Sequence, residues 1–236
     1  MRLRVSRLPN GEPEIFATLQ GEGATAGTPA VFLRLASCNL DCSWCDTPYT
    51  WDWGRYDYRT HMMELSVTEA AERIAALGPR RLVVTGGEPL LQRRALEELV
   101  RMCVGEGLRV EVETNGTLAP GPRLTELVER WNVSPKLSNS GVDQRRREVP
   151  EVLRAYASME RAWFKLVIRE RRDVEEAMAL VRRYGVPLER VVLMPEGTTA
   201  REVVERGRWL WEECLRLGVR FSTRLHILLW GDERGR

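Results

Sequence analysis

The sequence predicts an α/β protein built as a partial, open barrel of six parallel strands. Short β-branched runs alternate with segments of helical periodicity along the 236 residues, which is typical of parallel strands joined by crossover helices. Six such units are too few to close an eight-stranded barrel. The length indicates a single domain, residues 1–236, and no internal repeat or low-complexity linker divides it.

The predicted strands are short runs of mostly apolar and β-branched residues. They are Ala30–Leu35, Arg81–Thr85, Arg109–Glu113, Trp131–Ser134, Trp163–Ile168 and Val191–Met194. In the first strand, Arg34 interrupts an apolar run, and an arginine is almost never fully buried without a partner. Arg34 therefore needs an anion, which is either a bound substrate or a neighbouring Asp or Glu of the chain.

Four segments have the apolar period of amphipathic helices. They are Val67–Leu77, Leu91–Val104, Val174–Tyr184 and Ala200–Leu217. The first and the last are preceded by Ser66 and Thr199, each with a glutamate three residues later, which is the spacing of a capping box. Cys103 and Cys214 fall on apolar stripes, so we interpret both as small core residues and not as ligands.

Charge and hydropathy exclude several classes of function. The formal net charge of +2 gives no electrostatic basis for nucleic-acid binding, and we interpret the basic runs Arg145–Arg147 and Arg169–Arg172 as solvent-exposed faces. No apolar run is long enough to predict a membrane span, and the first residues lack the apolar segment of a secretory signal. Together with reduced cysteines, these features favour a cytoplasmic protein.

Three of the five cysteines, Cys38, Cys42 and Cys45, lie within eight residues. A structural zinc site is closed by four ligands, and no fourth Cys or His is near, since the only histidines are His61 and His226. Three thiolates can hold three irons of a 4Fe–4S cluster and leave the fourth iron open for chemistry. We therefore predict such a cluster, with a zinc site or unligated thiols as the alternatives.

Other motifs follow the ends of the predicted strands, where open α/β sheets bind ligands. Gly86-Gly87-Glu88-Pro89 follows the second strand, Thr114-Asn115-Gly116 the third and Ser134-Pro135-Lys136 the fourth, as the cysteines follow the first. Gly86 and Gly87 allow close approach of a backbone, and Glu88 offers a carboxylate. The alternative is a plain strand-to-helix turn with Pro89 at the helix entry.

The cysteine spacing and the Thr85-Gly86-Gly87-Glu88-Pro89 turn resemble the radical S-adenosylmethionine (SAM) enzymes, whose core is a partial six-stranded βα barrel. The resemblance implies that Cys38, Cys42 and Cys45 bind a catalytic cluster whose open iron is chelated by SAM. The SAM contacts that it implies are Trp44, Cys45, Asp46, Gly87, Glu88, Ser134, Pro135, Lys136, Met194, Pro195, Glu196 and Gly197. A strand-ending turn explains the Pro and the Gly of the last four equally well.

The run Leu19-Gln20-Gly21-Glu22-Gly23, ahead of the first strand, indicates a ligand-binding loop; the alternative is an ordinary glycine-rich turn. The motifs that accompany it are Arg34, Cys45-Asp46-Thr47, Glu113-Thr114-Asn115-Gly116, Ser134-Pro135-Lys136 and His226. Together they resemble the 7-carboxy-7-deazaguanine synthase family, the radical SAM enzymes of 7-deazapurine (queuosine precursor) biosynthesis. The similarity runs from about Phe16 to the last strand, but Trp51–Met63 and Val142–Pro150 do not align.

This resemblance implies that 6-carboxy-5,6,7,8-tetrahydropterin is converted to 7-carboxy-7-deazaguanine with loss of ammonia, after hydrogen abstraction at C6 and with regeneration of SAM. The implied substrate contacts are Leu19, Gln20, Gly21, Glu22, Arg34, Thr85 and His226. Thr47 is expected to ligate Mg²⁺ together with the substrate. The resemblance thus implies one domain with an N-terminal substrate-binding extension and a C-terminal strand that carries His226. The chain departs from the family here, because members often have a Gln-x-His-Lys strand where this chain has Arg224-Leu225-His226-Ile227.

The resemblance also implies partners: a flavodoxin or ferredoxin as reductant, and a second copy in a homodimer, with Trp209, Trp211 and Trp230 as candidate interface residues. Two rival functions remain open on the sequence. A glycyl-radical-enzyme activase shares the cysteine spacing but does not need the Gln20–Glu22 loop or Arg34 to hold a small molecule. A non-enzymatic iron–sulfur or zinc protein is the other.

Overall fold

The computed structural model describes the whole chain, Met1–Arg236, and confirms the α/β class with an open, mostly parallel sheet. Its strands are β1 Arg2–Ser6, β2 Ile15–Leu19, β3 Pro29–Leu35, β4 Met62–Ser66, β5 Arg81–Gly86, β6 Arg109–Thr114, β7 Arg130–Val133, β8 Ala162–Ile168, β9 Val191–Pro195 and β10 Arg220–Phe221. The spatial order is β10-β9-β8-β7-β6-β5-β3-β1-β4, and β2 pairs with β3 beside this path. The sheet does not return on itself, so the barrel stays open.

The six predicted strands are confirmed as β3 and β5 to β9. They are neighbours in the sheet and all parallel, as crossover helices require. The strands that we did not predict lie mainly at the β3 side, where β1, β2 and β4 run antiparallel to their neighbours. In β1, Leu3 and Val5 are buried while Arg2 and Arg4 are exposed, so the alternation typical of an antiparallel strand was present over only five residues.

The α-helices connect the strands and cover the sheet. They are α1 Tyr58–His61, α2 Val67–Ala75, α3 Arg93–Gly105, α4 Pro122–Leu127, α5 Gln144–Arg147, α6 Pro150–Ser158, α7 Arg171–Tyr184, α8 Ala200–Leu217 and α9 Leu225–Trp230. Both predicted capping boxes are present, with Ser66 and Thr199 each accepting a hydrogen bond from the backbone of the glutamate three residues on. None of these helices is long and apolar enough to cross a membrane.

The main core lies between the sheet and its helices and contains 44 buried residues. Trp131 from β7, Phe164 from β8 and Tyr156 from α6 are among the largest fully buried side chains. Cys103 and Cys214 both belong to this core, which confirms that they are packing residues. Burial of large apolar side chains of this kind contributes roughly 1.5–3 kcal/mol each, so the helix-covered face of the sheet holds the barrel together.

Two expectations about single segments are wrong. His226 lies in helix α9, not in a strand, because the chain leaves the sheet after β10; the Leu225 amide then donates to the Gly21 carbonyl at 2.9 Å. The run Arg145–Arg147 is not uniformly solvent-exposed either. Arg147 is buried and donates to the Lys136 carbonyl at 2.8 Å, besides pairing with Glu176 at 3.0 Å.

The face of the sheet opposite the helices is polar near the strand ends. Side chains on this face are Arg34, Thr85, Glu111, Glu113, Asn132 and Lys165, one or two from each of β3 and β5 to β8. A parallel strand covered on both faces is usually a continuous apolar run, so these alternating polar residues mark a face that meets something other than a hydrophobic layer. That face lines a cavity.

Candidate active site

One cavity lies beyond the carboxyl ends of the parallel strands, and the structure brings most of the predicted site residues together there. It is lined by Leu19, Gln20, Gly21, Glu22, Arg34, Cys38, Cys42, Trp44, Cys45, Asp46, Thr47, Thr85, Gly87, Ser134, Lys136, Met194, Glu196 and His226. Four predicted residues do not line it: Glu88, Pro135, Pro195 and Gly197. The two prolines and the glycine among them are buried; Pro195 ends β9, and Pro135 and Gly197 lie just after the ends of β7 and β9.

The cysteine loop forms one end of this cavity. All three thiols are free, and Cys38 and Cys45 pack against the small cluster formed by Leu40, Cys42 and Val142. No three His, Cys, Asp or Glu side chains converge as they would around a single metal ion. In a 4Fe–4S cluster each thiolate holds a different iron, and three free thiols on one cavity wall can supply three such ligands. The donor set therefore fits the cluster that the cysteine spacing predicts.

The cysteine loop is positioned by the two glycines at the end of β5. Gly86 has a φ of 135°, and a Cβ on Gly87 would lie 2.1 Å from the Ser37 carbonyl oxygen. Ser37, just before Cys38, itself has a φ of 78°, and its carbonyl accepts a hydrogen bond from the Glu88 amide at 2.8 Å. Close backbone approach is thus the reason for the paired glycines.

The Glu88 side chain does not line the cavity, and its predicted contact with SAM stays a prediction. Its side chain is fully buried, and its carboxylate accepts hydrogen bonds from the Asn115 amide at 2.8 Å, the Leu90 amide at 3.0 Å and the Thr114 hydroxyl at 3.0 Å. Burial raises the pKa of Glu88, and these donors act in the opposite direction. Glu88 ties the turn after β5 to the turn after β6.

Ser134, Lys136 and Trp44 form the wall beside the cysteines. The Lys136 ammonium donates to the Ser134 hydroxyl at 3.0 Å and lies 5.6 Å from the centre of the Trp44 ring. The Trp44 indole donates to the Asn139 side chain at 3.2 Å, which fixes the ring. A cation, a hydroxyl and an aromatic face are therefore presented together next to the thiols.

The Gln20–Glu22 loop forms the opposite wall and carries a strongly ionised carboxylate. Glu22 accepts a hydrogen bond from the Lys165 ammonium at 2.5 Å and one from the Arg224 guanidinium at 2.9 Å. Burial alone would raise the pKa of Glu22, but the two cations outweigh it and hold that pKa well below its ordinary value. Gln20 is buried as well; its side-chain oxygen accepts from the Glu22 amide at 3.1 Å.

Arg224 joins the two walls. Besides Glu22 it binds the Asp46 carboxylate, next to Cys45, and the Gly197 carbonyl after β9. Burial would raise the pKa of Asp46, yet the charge of Arg224 brings it below its ordinary value. One guanidinium therefore fixes the Gln20–Glu22 loop, the cysteine loop and the turn after β9 relative to one another.

Arg34 has the neighbouring carboxylate that we considered as the alternative to a substrate. Its Nε donates to the buried Glu14 at 2.8 Å, and Glu14 also accepts from the Tyr49 hydroxyl at 3.1 Å and from Arg234 at 2.8 Å. The two terminal nitrogens of the Arg34 guanidinium make no hydrogen bond within the chain, and Arg34 lines the cavity. The Nε of Arg34 is therefore engaged in the pair with Glu14, while its two terminal nitrogens form a fork that has no partner in the chain.

His226 and Thr47 both present side chains to the cavity. A Cβ on Gly21 would overlap the His226 ring at 2.2 Å, so the glycine makes room for the imidazole. Burial lowers the pKa of His226, and the charge of Glu22 offsets this only partly. The lowered pKa favours the neutral ring. The Thr47 hydroxyl lies 3.7 Å from the Cys45 sulfur and makes no hydrogen bond to the local backbone.

Several lining residues were not predicted from the sequence. They are Glu14, Tyr49, Trp51, Glu113, Lys165, Arg224 and Arg234. A signal existed for two of them within predicted parallel strands, because Glu113 belongs to an alternating charged and apolar strand and Lys165 is a lone charge in an apolar run. Glu113 accepts from the Thr85 hydroxyl at 2.9 Å and from Gln20 at 3.3 Å, so it connects a predicted residue from β5 to the N-terminal loop.

Comparison with known proteins agrees with this geometry. The model of the Radical SAM superfamily matches residues 34–210. The 7-carboxy-7-deazaguanine synthase of Pyrobaculum aerophilum is 46% identical over 226 residues, which cover 94% of this chain and 96% of that protein. The synthase of Hyperthermus butylicus is 38% identical over 224 residues, covering 92% and 91%.

A solved structure also matches this chain over nearly its full length. The crystal structure of QueE from Escherichia coli superposes with a TM-score of 0.71 at 26% identity, over 96% of this chain and 95% of that one. The resemblance that the motifs indicated is thus confirmed by near full-length relatives and by the superfamily match. The chain belongs to the 7-carboxy-7-deazaguanine synthase family of the radical SAM superfamily.

Proposed function

We propose that this radical SAM lyase converts 6-carboxy-5,6,7,8-tetrahydropterin to 7-carboxy-7-deazaguanine with loss of ammonia. The observation that carries the proposal is the single cavity shared by the cysteine loop, the Gln20–Glu22 loop, Arg34 and His226. A site that generates a reactive species must hold its substrate against the generating group and exclude competing reactions. The family membership of the chain supports the assignment of the reaction to this cavity.

In this proposal, Cys38, Cys42 and Cys45 hold a 4Fe–4S cluster, and SAM occupies the open iron. Together they supply a 5′-deoxyadenosyl radical when bound and reduced. The space next to the thiols is surrounded by Gly87, Ser134, Lys136, Trp44, Cys45 and Asp46. The Lys136 ammonium suits a carboxylate and the Ser134 hydroxyl a ribose, while Met194 and Glu196 border the far side.

The substrate half is built for an anionic, hydrogen-bonding ring. The free fork of Arg34 suits a carboxylate, since a guanidinium can bind both carboxylate oxygens at once. Gln20, Glu22 and Thr85 supply amide, carboxylate and hydroxyl groups for a pterin ring, with Leu19 and Gly21 at its rim, and the neutral imidazole of His226 can accept or donate a hydrogen bond.

Mg²⁺ is part of the proposal through Thr47. The chain offers this hydroxyl as one protein ligand, because the adjacent Asp46 is already paired with Arg224. Mg²⁺ often takes only one or two protein ligands and completes its octahedron with water and substrate oxygens. The donor set therefore fits an ion that depends on the substrate carboxylate for binding.

The partners that we propose are a flavodoxin or ferredoxin that reduces the cluster and a second copy of the chain. Trp211 and Trp230 have exposed fractions of 58% and 49%, which supports a role in a homodimer, whereas Trp209 packs against the core.

We further propose that residues 1–236 act as one domain, with β1 and β2 as the N-terminal extension that carries the substrate loop.

Anaerobic incubation of the reconstituted chain with SAM, dithionite and the carboxylated tetrahydropterin, followed by mass spectrometry, tests the reaction. We expect the product to be lighter than the substrate by one ammonia and to differ from it in composition by nothing else. Identity with authentic 7-carboxy-7-deazaguanine is the criterion. Cys42→Ala should form no product, whereas Cys103→Ala should retain activity. Unchanged substrate with the intact cluster would contradict the proposal.

The rival functions are less consistent with these observations. The relatives do not favour a glycyl-radical-enzyme activase. An activase must also admit a segment of a protein partner, while this cavity is bordered on one side by helix α9 and the residues that follow it. Iron analysis of the reconstituted chain separates the non-enzymatic zinc alternative, because about four irons per chain are expected for one cubane cluster.

A further inference from the structure

Trp51 contacts a cluster cysteine directly, although it lies in the segment that the family motifs leave unaligned. Its indole Nε1 donates a hydrogen bond to the Cys45 sulfur at 3.3 Å. Neither of the other two cysteines receives a side-chain N–H. Cys38 accepts only from the Leu40 backbone amide, at 3.5 Å, so the three sulfurs are unequally hydrogen-bonded.

The indole is held in this position by a short, well-anchored turn. Trp51 ends the 3₁₀ helix Pro48–Thr50, and its amide donates to the Pro48 carbonyl at 3.1 Å. Thr50 is fully buried, and its carbonyl accepts a hydrogen bond at 2.6 Å from the Ser37 amide, directly before Cys38. The turn that carries the indole is therefore tied to both ends of the cysteine loop.

An N–H directed at a cluster thiolate affects the two redox states unequally. The reduced cluster carries one more negative charge, so the positive end of the N–H dipole stabilises it more than the oxidised form. Hydrogen bonds to the sulfurs are among the factors that set the reduction potentials of iron–sulfur clusters. The effect acts through Cys45 and needs no contact between Trp51 and the reacting atoms.

We propose that Trp51 is a positioning residue that raises the reduction potential of the cluster through its hydrogen bond to Cys45. The inference rests on the cluster of the proposed function and adds a residue to it. Because the reductant must deliver an electron before SAM is cleaved, this hydrogen bond makes the one-electron reduction more favourable.

The test is a potentiometric titration of the reconstituted cluster, followed by electron paramagnetic resonance. Trp51 is replaced by its benzothiophene analogue, 3-benzothienylalanine, which keeps the ring shape and lacks the N–H, and separately by phenylalanine (Trp51→Phe). We expect the reduction equilibrium to weaken by up to about tenfold, a downward shift of up to about 59 mV for one electron. Trp53→Phe, at a tryptophan two residues away that makes no contact with a cysteine sulfur, is the matched control and should not shift it.

An unchanged potential in the benzothienylalanine protein, with iron content equal to that of the unmodified chain, would overturn the inference and leave the proposed function intact. If Trp51→Phe loses iron, the isosteric analogue still decides the question. Failure of the unmodified chain to assemble any cluster would instead contradict the proposed function itself. An equal shift in Trp53→Phe would show that the potential responds to loop packing and would also overturn the inference.

Discussion

Single residues in the cavity are organised as two chains of alternating charge. One chain runs from Arg234 through Glu14 to Arg34, and the other consists of Lys165, Glu22, Arg224 and Asp46. Removing charged groups from water costs several kcal/mol per ion, so buried pairs by themselves are weak evidence for stability. Their concentration in one cavity marks that cavity as a candidate ligand-binding site.

Arg224 is the residue on which the second chain depends. Because it is buried and serves Glu22 and Asp46 at once, Arg224→Met should lower the free energy of unfolding by about 3–5 kcal/mol. Urea denaturation of the chain without cofactors measures this. Arg201→Met, which removes an exposed ion pair with Glu205, is the matched control and should leave stability nearly unchanged. Equal effects of the two substitutions would contradict the assignment.

Glu22 makes the stability of this wall depend on pH. Its pKa is held well below the ordinary value of 4.5 in the folded chain, so folding favours the ionised form. The stabilisation is fully present above about pH 4.5 and is lost as the pH falls through the lowered pKa. The difference in unfolding free energy between the unmodified chain and Glu22→Gln should therefore be constant from pH 7 to 5 and shrink below 4.5.

Glu160→Gln, at an exposed position, is the control for general acid effects and should follow the unmodified chain throughout. A difference for Glu22→Gln that grows as the pH falls below 4.5 would have the wrong sign for a carboxylate with a lowered pKa, and would exclude the ion pairs with Lys165 and Arg224 as its origin.

At the scale of elements, the end of β5 meets the start of the cysteine loop more closely than side chains permit. Gly87→Ala should force the turn away from Ser37, because the new Cβ would lie 2.1 Å from the Ser37 oxygen. We expect a loss of about 1–3 kcal/mol in unfolding free energy and less iron bound after reconstitution. Gly105→Ala, where a Cβ meets nothing within 4 Å, should stabilise α3 or leave it unchanged. Equal iron content in both variants would contradict the positioning role of Gly87.

Elements differ in how far their sequence predicts them. The parallel strands β5 and β8 are continuous enough in apolar character to be recognised locally. β2 is not, because its five residues are only partly buried and it forms by pairing with β3. α9 also depends on context, because its one buried residue, Ile227, gives no periodicity. The helix begins at Leu225, whose amide donates to Gly21 in the Gln20–Glu22 loop, about 200 residues away in sequence.

At the scale of the whole molecule, the fold places the cysteine loop and the Gln20–Glu22 loop on one cavity. In the proposed function these are a radical-generating half and a substrate-recognition half. The cysteine triad was predictable because its chemistry depends on local spacing. Glu14 and Arg224 were not, since each acquires its role only from partners in distant segments. Glu88 stays a predicted SAM contact, but the hydrogen bonds by which its side chain joins the turns after β5 and β6 could not be predicted, because they depend on two segments that are distant in sequence.

Arg34→Lys tests most directly whether these two halves are distinct. Lysine keeps the charge beside Glu14 but cannot reproduce the two-pronged fork toward a carboxylate. The measurement is the amount of 7-carboxy-7-deazaguanine formed relative to 5′-deoxyadenosine released without substrate, at matched iron content. We predict that product formation falls by about two decades or more while substrate-independent SAM cleavage is retained. If product formation, SAM cleavage and the unfolding free energy all fall together, Arg34 serves only its pair with Glu14. Undiminished product formation would place the substrate carboxylate elsewhere.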